Sequence, residues 1–254
     1  MKNKIILYIV ILIFCKLHSL EVYQLDFSKE ASIIVPSLLL SSFSFYRHIK
    51  LDELSPEAVN SLSINEINRF DRIAVNQYSQ TSRVLSDYLV GLCLVAPFTM
   101  NFQDKVSSNI NVLILESYLL TTSLASFSKV TTQRKRPYVY NKNVDIDIRI
   151  EKDGQLSFFS AHTAYAFTGA ILTARFYDDH YEDKYNFLIY SSTIFTASTL
   201  GYLRFSAGKH YPTDILVGAL VGAGVAIFIT EVHKNKEQKT AELTLPIIRY
   251  NMSF

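Results

Sequence analysis

The chain has little of what marks disulfide-built, fibrous or nucleic-acid-binding proteins. Only two cysteines occur in 254 residues, Cys15 and Cys93, and each lies inside an apolar stretch. That argues against a structural disulfide in any compartment. Charge of one sign is scarce in surplus: 25 Lys and Arg face 23 Asp and Glu, a net +2 too slight for a polyanion-binding surface. No internal repeat and no low-complexity segment occurs. Long clean hydrophobic runs are also missing. A spanning helix wants about 20 mostly apolar residues, whereas the runs here are shorter or are interrupted by Asp87, Glu116 and Arg175.

What is present is a high apolar content, 49% hydrophobic against 19% charged, as a packed core requires. Lys2 and Lys4 precede the apolar stretch Ile5–Cys15, so residues 1–20 read as a secretory signal or an uncleaved N-terminal anchor. The remainder, 21–254, reads as one domain. Six apolar runs follow: Ala31–Tyr46, broken by Pro36, then Val84–Met100, Asn111–Val130, Ala164–Tyr177, Tyr185–Phe205 and Ile215–Val232. Their lengths and spacing predict an all-α bundle of about six core helices. In the polar stretch between the first two, SPEAVNSL and SINEINRFDRIA each open on a serine with an acidic residue close behind, and predict short surface helices. DIDIRIE, within 141–156, alternates as a short strand or extended loop would. Gly218, Gly222 and Gly224 would let the last helix lie close to a neighbour.

Three stretches carry chemistry. In GYLRFSAGKHYPTD, Arg204 approaches a turn, and His210 and Asp214 stand four apart at the mouth of the last helix. A carboxylate so placed can hold the Nδ1 proton of an imidazole and leave Nε2 as nucleophile or base. In KVTTQRKRP, Lys129, Arg134, Lys135 and Arg136 crowd a helix end before Pro137, which biases Arg136 toward extended backbone. In SFFSAHT, Ser160 can cap the fourth helix, and the N–H groups of Ala161 and His162 would stand at its positive end, a ready anion site. Each stretch alone also fits a capped helix or a solvated basic flank.

Together they resemble the type 2 phosphatidic acid phosphatase family, which shares its fold with vanadium haloperoxidases and bacterial class A acid phosphatases. The family signature is K-x6-R-P, then P-S-G-H, then S-R-x5-H-x3-D. This chain reads Lys129-x6-Arg136-Pro137, Phe159-Ser160-Ala161-His162 and Leu203-Arg204-x5-His210-x3-Asp214. The resemblance covers about 111–232. It departs at Phe159, Ala161 and Leu203, and Ala161 bears on the chemistry if a glycine there needs positive φ or close approach to phosphate.

The resemblance implies a helical bundle with its site at one end, and hydrolysis of a phosphomonoester or pyrophosphate, in particular that of a lipid, without metal or other cofactor. It implies His210 as the nucleophile oriented by Asp214, and His162 as acid and then base. Phosphate would be held by Lys129, Arg136, Ser160, Ala161 and Arg204. A vanadate-dependent haloperoxidase and a secreted soluble acid phosphatase of the same fold share these residues. Glycines in the last helix and aromatic-rich flanks favour the membrane, and the leader places the site outside the cytoplasm, in the cell envelope. Phosphatidic acid, phosphatidylglycerol phosphate, undecaprenyl pyrophosphate and lipid A phosphates all suit such a site. No nucleic-acid partner is expected.

Overall fold

The computed structural model describes residues 22–103, 106–181 and 184–235. The signal-like leader and the apolar C-terminal tail read from the sequence lie outside them. The described chain is all-α, and six long helices form it: α1 (Phe27–Ile49), α2 (Gln80–Val95), α3 (Ile110–Thr132), α4 (Ala161–His180), α5 (Asn186–Ser206) and α6 (Pro212–His233). Each coincides with one of the six apolar runs, except that α2 stops at Val95 and the end of its run, Ala96–Met100, continues as a 3-10 turn. Asp26 caps α1 by accepting from the N–H groups of Ser28 and Lys29. Ser79 caps α2 and Ser160 caps α4 in the same way. Pro36 does not break α1 as its sequence suggested; it lies inside the helix, where it can remove only one backbone donor.

Helix α4 is central. It packs on α6, α5, α2 and α3, and α1 lies against α3. The largest core cluster gathers Ile110, Leu113 and Ile114 of α3, Leu172 and Phe176 of α4, and Val225, Ala226 and Ile229 of α6. Between α4 and α6 the backbones nearly touch. A Cβ on Gly222 would stand 2.1 Å from the Ala164 carbonyl oxygen, and one on Gly218 2.6 Å from that of Ser160. Gly224, expected to share that role, faces open space instead.

The site end carries a polar cap built from 50–79, 133–160 and 207–211. Short helical turns at Pro56–Asn60 and Ile64–Glu66 open on Ser55 and Ser63, as their sequence pattern predicts. Ile146–Arg149 is a helical turn and not a strand. Its alternation is overridden because Asp145 caps the turn and Arg149 is buried, donating its Nε to the Val139 carbonyl at 2.9 Å. Among the described residues, three helical stretches are long and apolar enough to cross a membrane: Gln80–Phe102, Ile110–Tyr140 and Pro212–His233. Large apolar side chains such as Leu39, Leu92, Phe187, Phe195 and Leu220 point outward from the bundle.

Candidate active site

Helices α3 and α5 end, and α4 and α6 begin, at the capped end of the bundle. This antiparallel order brings the three sequence stretches together. The loop before α6 turns at Gly208, whose φ of +69° suits glycine, and a Cβ there would stand 2.1 Å from the Gln77 carbonyl oxygen. The turn delivers His210, fully buried, with its ring in the middle of a set of fixed cations.

Arg136 touches that ring directly. Its Nη1 lies 3.1 Å from His210 Nε2 and donates to the Lys209 carbonyl at 2.9 Å. Pro137 acts as read: Arg136 is extended, with φ −72° and ψ 157°. A guanidinium can only donate, so Nε2 accepts and keeps its lone pair, and the ring proton belongs on Nδ1. Lys129, in the last turn of α3, and Arg204, in the last turn of α5, also act electrostatically on His210, as does His162. Burial, followed by the Arg136 and Lys129 charges, pushes the His210 pKa well below the ordinary histidine value.

Asp214 is buried at the start of α6, with Oδ2 3.6 Å from His210 Nδ1. The expected hydrogen bond between them is not closed, because the carboxylate is taken up elsewhere. Oδ1 accepts from Arg134 Nη1 at 2.5 Å, and Oδ2 accepts from Ser157 Oγ at 2.5 Å and the Tyr211 N–H at 3.0 Å. Nor do His210 and Asp214 share a helical turn, since Tyr211 between them is extended and α6 begins at Pro212.

At the head of α4, Ser160 Oγ accepts from Thr163 N–H and Oγ1, at 3.3 and 2.9 Å, and its own proton can still donate. The N–H groups of Ala161 and His162 belong to the first turn, where no intrahelical carbonyl meets them. Ala161 needs no glycine-like backbone: among the described residues only Gln133 and Gly208 have positive φ. His162 Nε2 lies 3.0 Å from Asp87 Oδ1, and Arg204 Nη1 reaches the same oxygen at 3.2 Å and Ser86 Oγ at 3.0 Å.

Four residues of this end were not singled out from sequence as site residues. Asp87 looked like an interruption of an apolar run, and its four-residue step from Arg83 was its one signal. Asp153 accepts from Arg136 Nε through its carbonyl at 2.8 Å and from Nη2 through Oδ1 at 2.7 Å, while Lys209 Nζ approaches Oδ2 at 3.3 Å. Burial opposes its ionisation, but Arg136, Lys209 and Lys129 outweigh that and hold its carboxyl well below the usual carboxylate range. Lys209 stands next to the nucleophile candidate, with its pKa lowered to about 8 by burial and by Arg136. Arg134, read only as part of a basic run, bridges Asp214 to the buried Asp71 at 2.7 Å and lies over the Tyr211 ring at 4.1 Å.

A sequence model of the PAP2 superfamily matches residues 111–238, half of the chain. The chain belongs to the PAP2 superfamily. It is accordingly a phosphoric ester hydrolase. Among solved structures, Aquifex aeolicus LpxE is similar at 26% identity and a TM-score of 0.46, over 63% of this chain and 92% of LpxE. A transmembrane PAP2-type phosphatidylglycerolphosphate phosphatase from Bacillus subtilis is similar at 18% identity and a TM-score of 0.49, over 85% of this chain and 99% of that one. No curated protein matches in sequence. The PAP2 match contains Lys129, Arg136, Ser160, His162, Arg204, His210 and Asp214, and leaves out Asp71 and Asp87.

Proposed function

We propose that this PAP2 protein is an integral membrane phosphatase that hydrolyses a phosphomonoester or pyrophosphate of a lipid through a phosphohistidine on His210. The observation that carries this is one buried imidazole with an unprotonated Nε2 that only Arg136 engages, held among Arg136, Arg204 and Lys129 at the end of a bundle with apolar sides. A phosphate dianion entering between His210 and Arg136 would replace their mutual hydrogen bond with two stronger, charge-assisted contacts. Arg204, Lys129, the Ser160 hydroxyl and the N–H groups of Ala161 and His162 take the remaining oxygens, and stabilise the charge that spreads over them in the transition state.

His210 attacks phosphorus in line, and the bond to the leaving oxygen breaks as His162 supplies its proton. His162 then removes a proton from water, which displaces His210 and releases inorganic phosphate. Asp214 faces the Nδ1 side of His210 and balances the charge that appears there. Asp87 holds His162 and Arg204 from one oxygen and so sets the acid against the charge clamp.

Release of phosphate from phosphatidic acid, phosphatidylglycerol phosphate, undecaprenyl pyrophosphate and lipid A by the purified full chain tests this. His210→Ala removes turnover and the acid-labile phosphoenzyme, and His162→Ala lowers the rate by ~10²–10⁴-fold, less on substrates with good leaving groups. Parental turnover by the His210 variant would overturn the assignment.

A further inference from the structure

At the other end of the bundle three ligand-type side chains meet. Glu30 comes from the first turn of α1, Glu116 from α3 and His233 from the last turn of α6, and their ligand atoms all lie within 4.8 Å of one another. Glu116 is 13 residues before Lys129 on one helix, about 20 Å from the phosphate site. His233 is fully buried and Glu116 2% exposed.

The hydrogen bonds leave this cluster unbalanced. His233 Nδ1 pairs with the Ile229 carbonyl at 2.9 Å, so Nδ1 carries the proton and the Nε2 lone pair points at the carboxylates. Nε2 is 3.3 Å from Glu30 Oε1 and 3.4 Å from Glu116 Oε2, yet closes a hydrogen bond with neither. Both Glu116 oxygens also lack a donor. The cations nearby are committed: Lys29 to the Val232 carbonyl, Arg175 to Glu231, Lys234 to Asp179. Glu30 is partly exposed and its Oε1 also accepts the Asp26 N–H at 2.9 Å, but no cation stands among the two carboxylates and the buried lone pair, and they repel one another unless one does. An ionisable side chain at membrane depth is itself a mark of function.

We infer that Glu30, Glu116 and His233 form a binding site for a divalent transition metal of the zinc type, which ties α1 to α3 and α6. Ligand atoms about 2.05 Å from a tetrahedral zinc stand about 3.4 Å apart, and both contacts of His233 Nε2 match that edge. One imidazole and two carboxylates suit this class of ion, and its two charges cancel theirs. The Nδ1 bond to Ile229 supplies the outer contact that fixes the ring. The ion is structural: it lies far from His210 and takes no part in hydrolysis.

The test uses the tag-free full chain in detergent, with zinc chloride as the probe. Mass spectrometry of the purified protein finds about one zinc per chain. Zinc at a hundredfold excess over its Kd raises the Tm of the chelator-treated protein by about 5–10 °C. Glu116→Gln loses both the metal and the shift while keeping phosphatase activity. Glu30→Gln, at a more accessible position, does the same should the first variant fold poorly. A Tm that follows pH but ignores zinc would mean that His233 and Glu116 share a proton, and overturns the proposal. So does an equal zinc shift in parent and variants, which would place the metal elsewhere.

Discussion

His210 shows how much one side chain inherits from its surroundings. Its ring is neutral in the folded protein because burial and the charges of Arg136, Lys129, Arg204 and His162 all disfavour protonation, with the Asp214 carboxylate opposing them from the Nδ1 side. The unfolded chain takes up a proton near pH 6.5. Below that pH the unfolded state therefore binds more protons than the folded one, and stability falls as pH falls. Replacing His210 with Gln removes this contribution. Between pH 6 and 5 the variant should lose stability less steeply than the parent, by up to about 1.4 kcal/mol per pH unit. Denaturant melts at several pH values check this, and equal slopes would show that His210 is protonated in the fold. The signature residues were read in sequence through their resemblance to a family pattern, since each stretch alone also fits a capped helix or a basic flank. Asp87 and Asp153 were not: one lay in an apolar run and the other in a polar loop, and only the fold brings them to Arg204 and Arg136.

At the scale of elements, the six apolar runs predicted the six long helices because each run is long enough to build several turns, although α3 and α5 lack a side-chain cap. DIDIRIE misled because local alternation counts for less than a capped turn with a buried arginine. The α4–α6 contact is set by small residues: Gly222 packs its Cα against the backbone of Ala164, two residues past His162. Gly222→Leu should force the helices apart, tilt the first turn of α4 and separate His162 from His210. The expected outcome is a loss of stability of about 1–3 kcal/mol from overpacking and a fall in kcat larger than that seen for Gly224→Leu, whose Cβ meets nothing. Thermal melts and phosphate release on both variants check it, and equal effects would remove α4–α6 contact from the account.

For the whole molecule, the question is which solvent surrounds the bundle. Among the described residues, three stretches have the length and composition to span a bilayer, and apolar side chains on α1 and α5 also face outward. Water would not tolerate so continuous an apolar surface on a monomer. The chain should therefore remain in the pellet after carbonate washing of membranes and leave it only with detergent; release by carbonate would mean a soluble or peripheral protein. Sequence alone left this choice open, because Asp87, Glu116 and Arg175 dilute the runs that carry them. The fold resolves the dilution: Asp87 turns to the phosphate site, Glu116 to His233, and Arg175 to Glu231.

The clasp between Arg134, Asp71 and Asp214 crosses a boundary that sequence similarity draws. Asp71 also accepts from the Thr213 backbone and hydroxyl, so the connection between the first two helices grips the start of the last one. A gene fragment trimmed to the region shared with other superfamily members would encode every signature position and still arrive without Asp71, one of the two carboxylates that keep Arg134 in place. The unit that evolution must inherit intact is thus larger than the motif by which it is recognised.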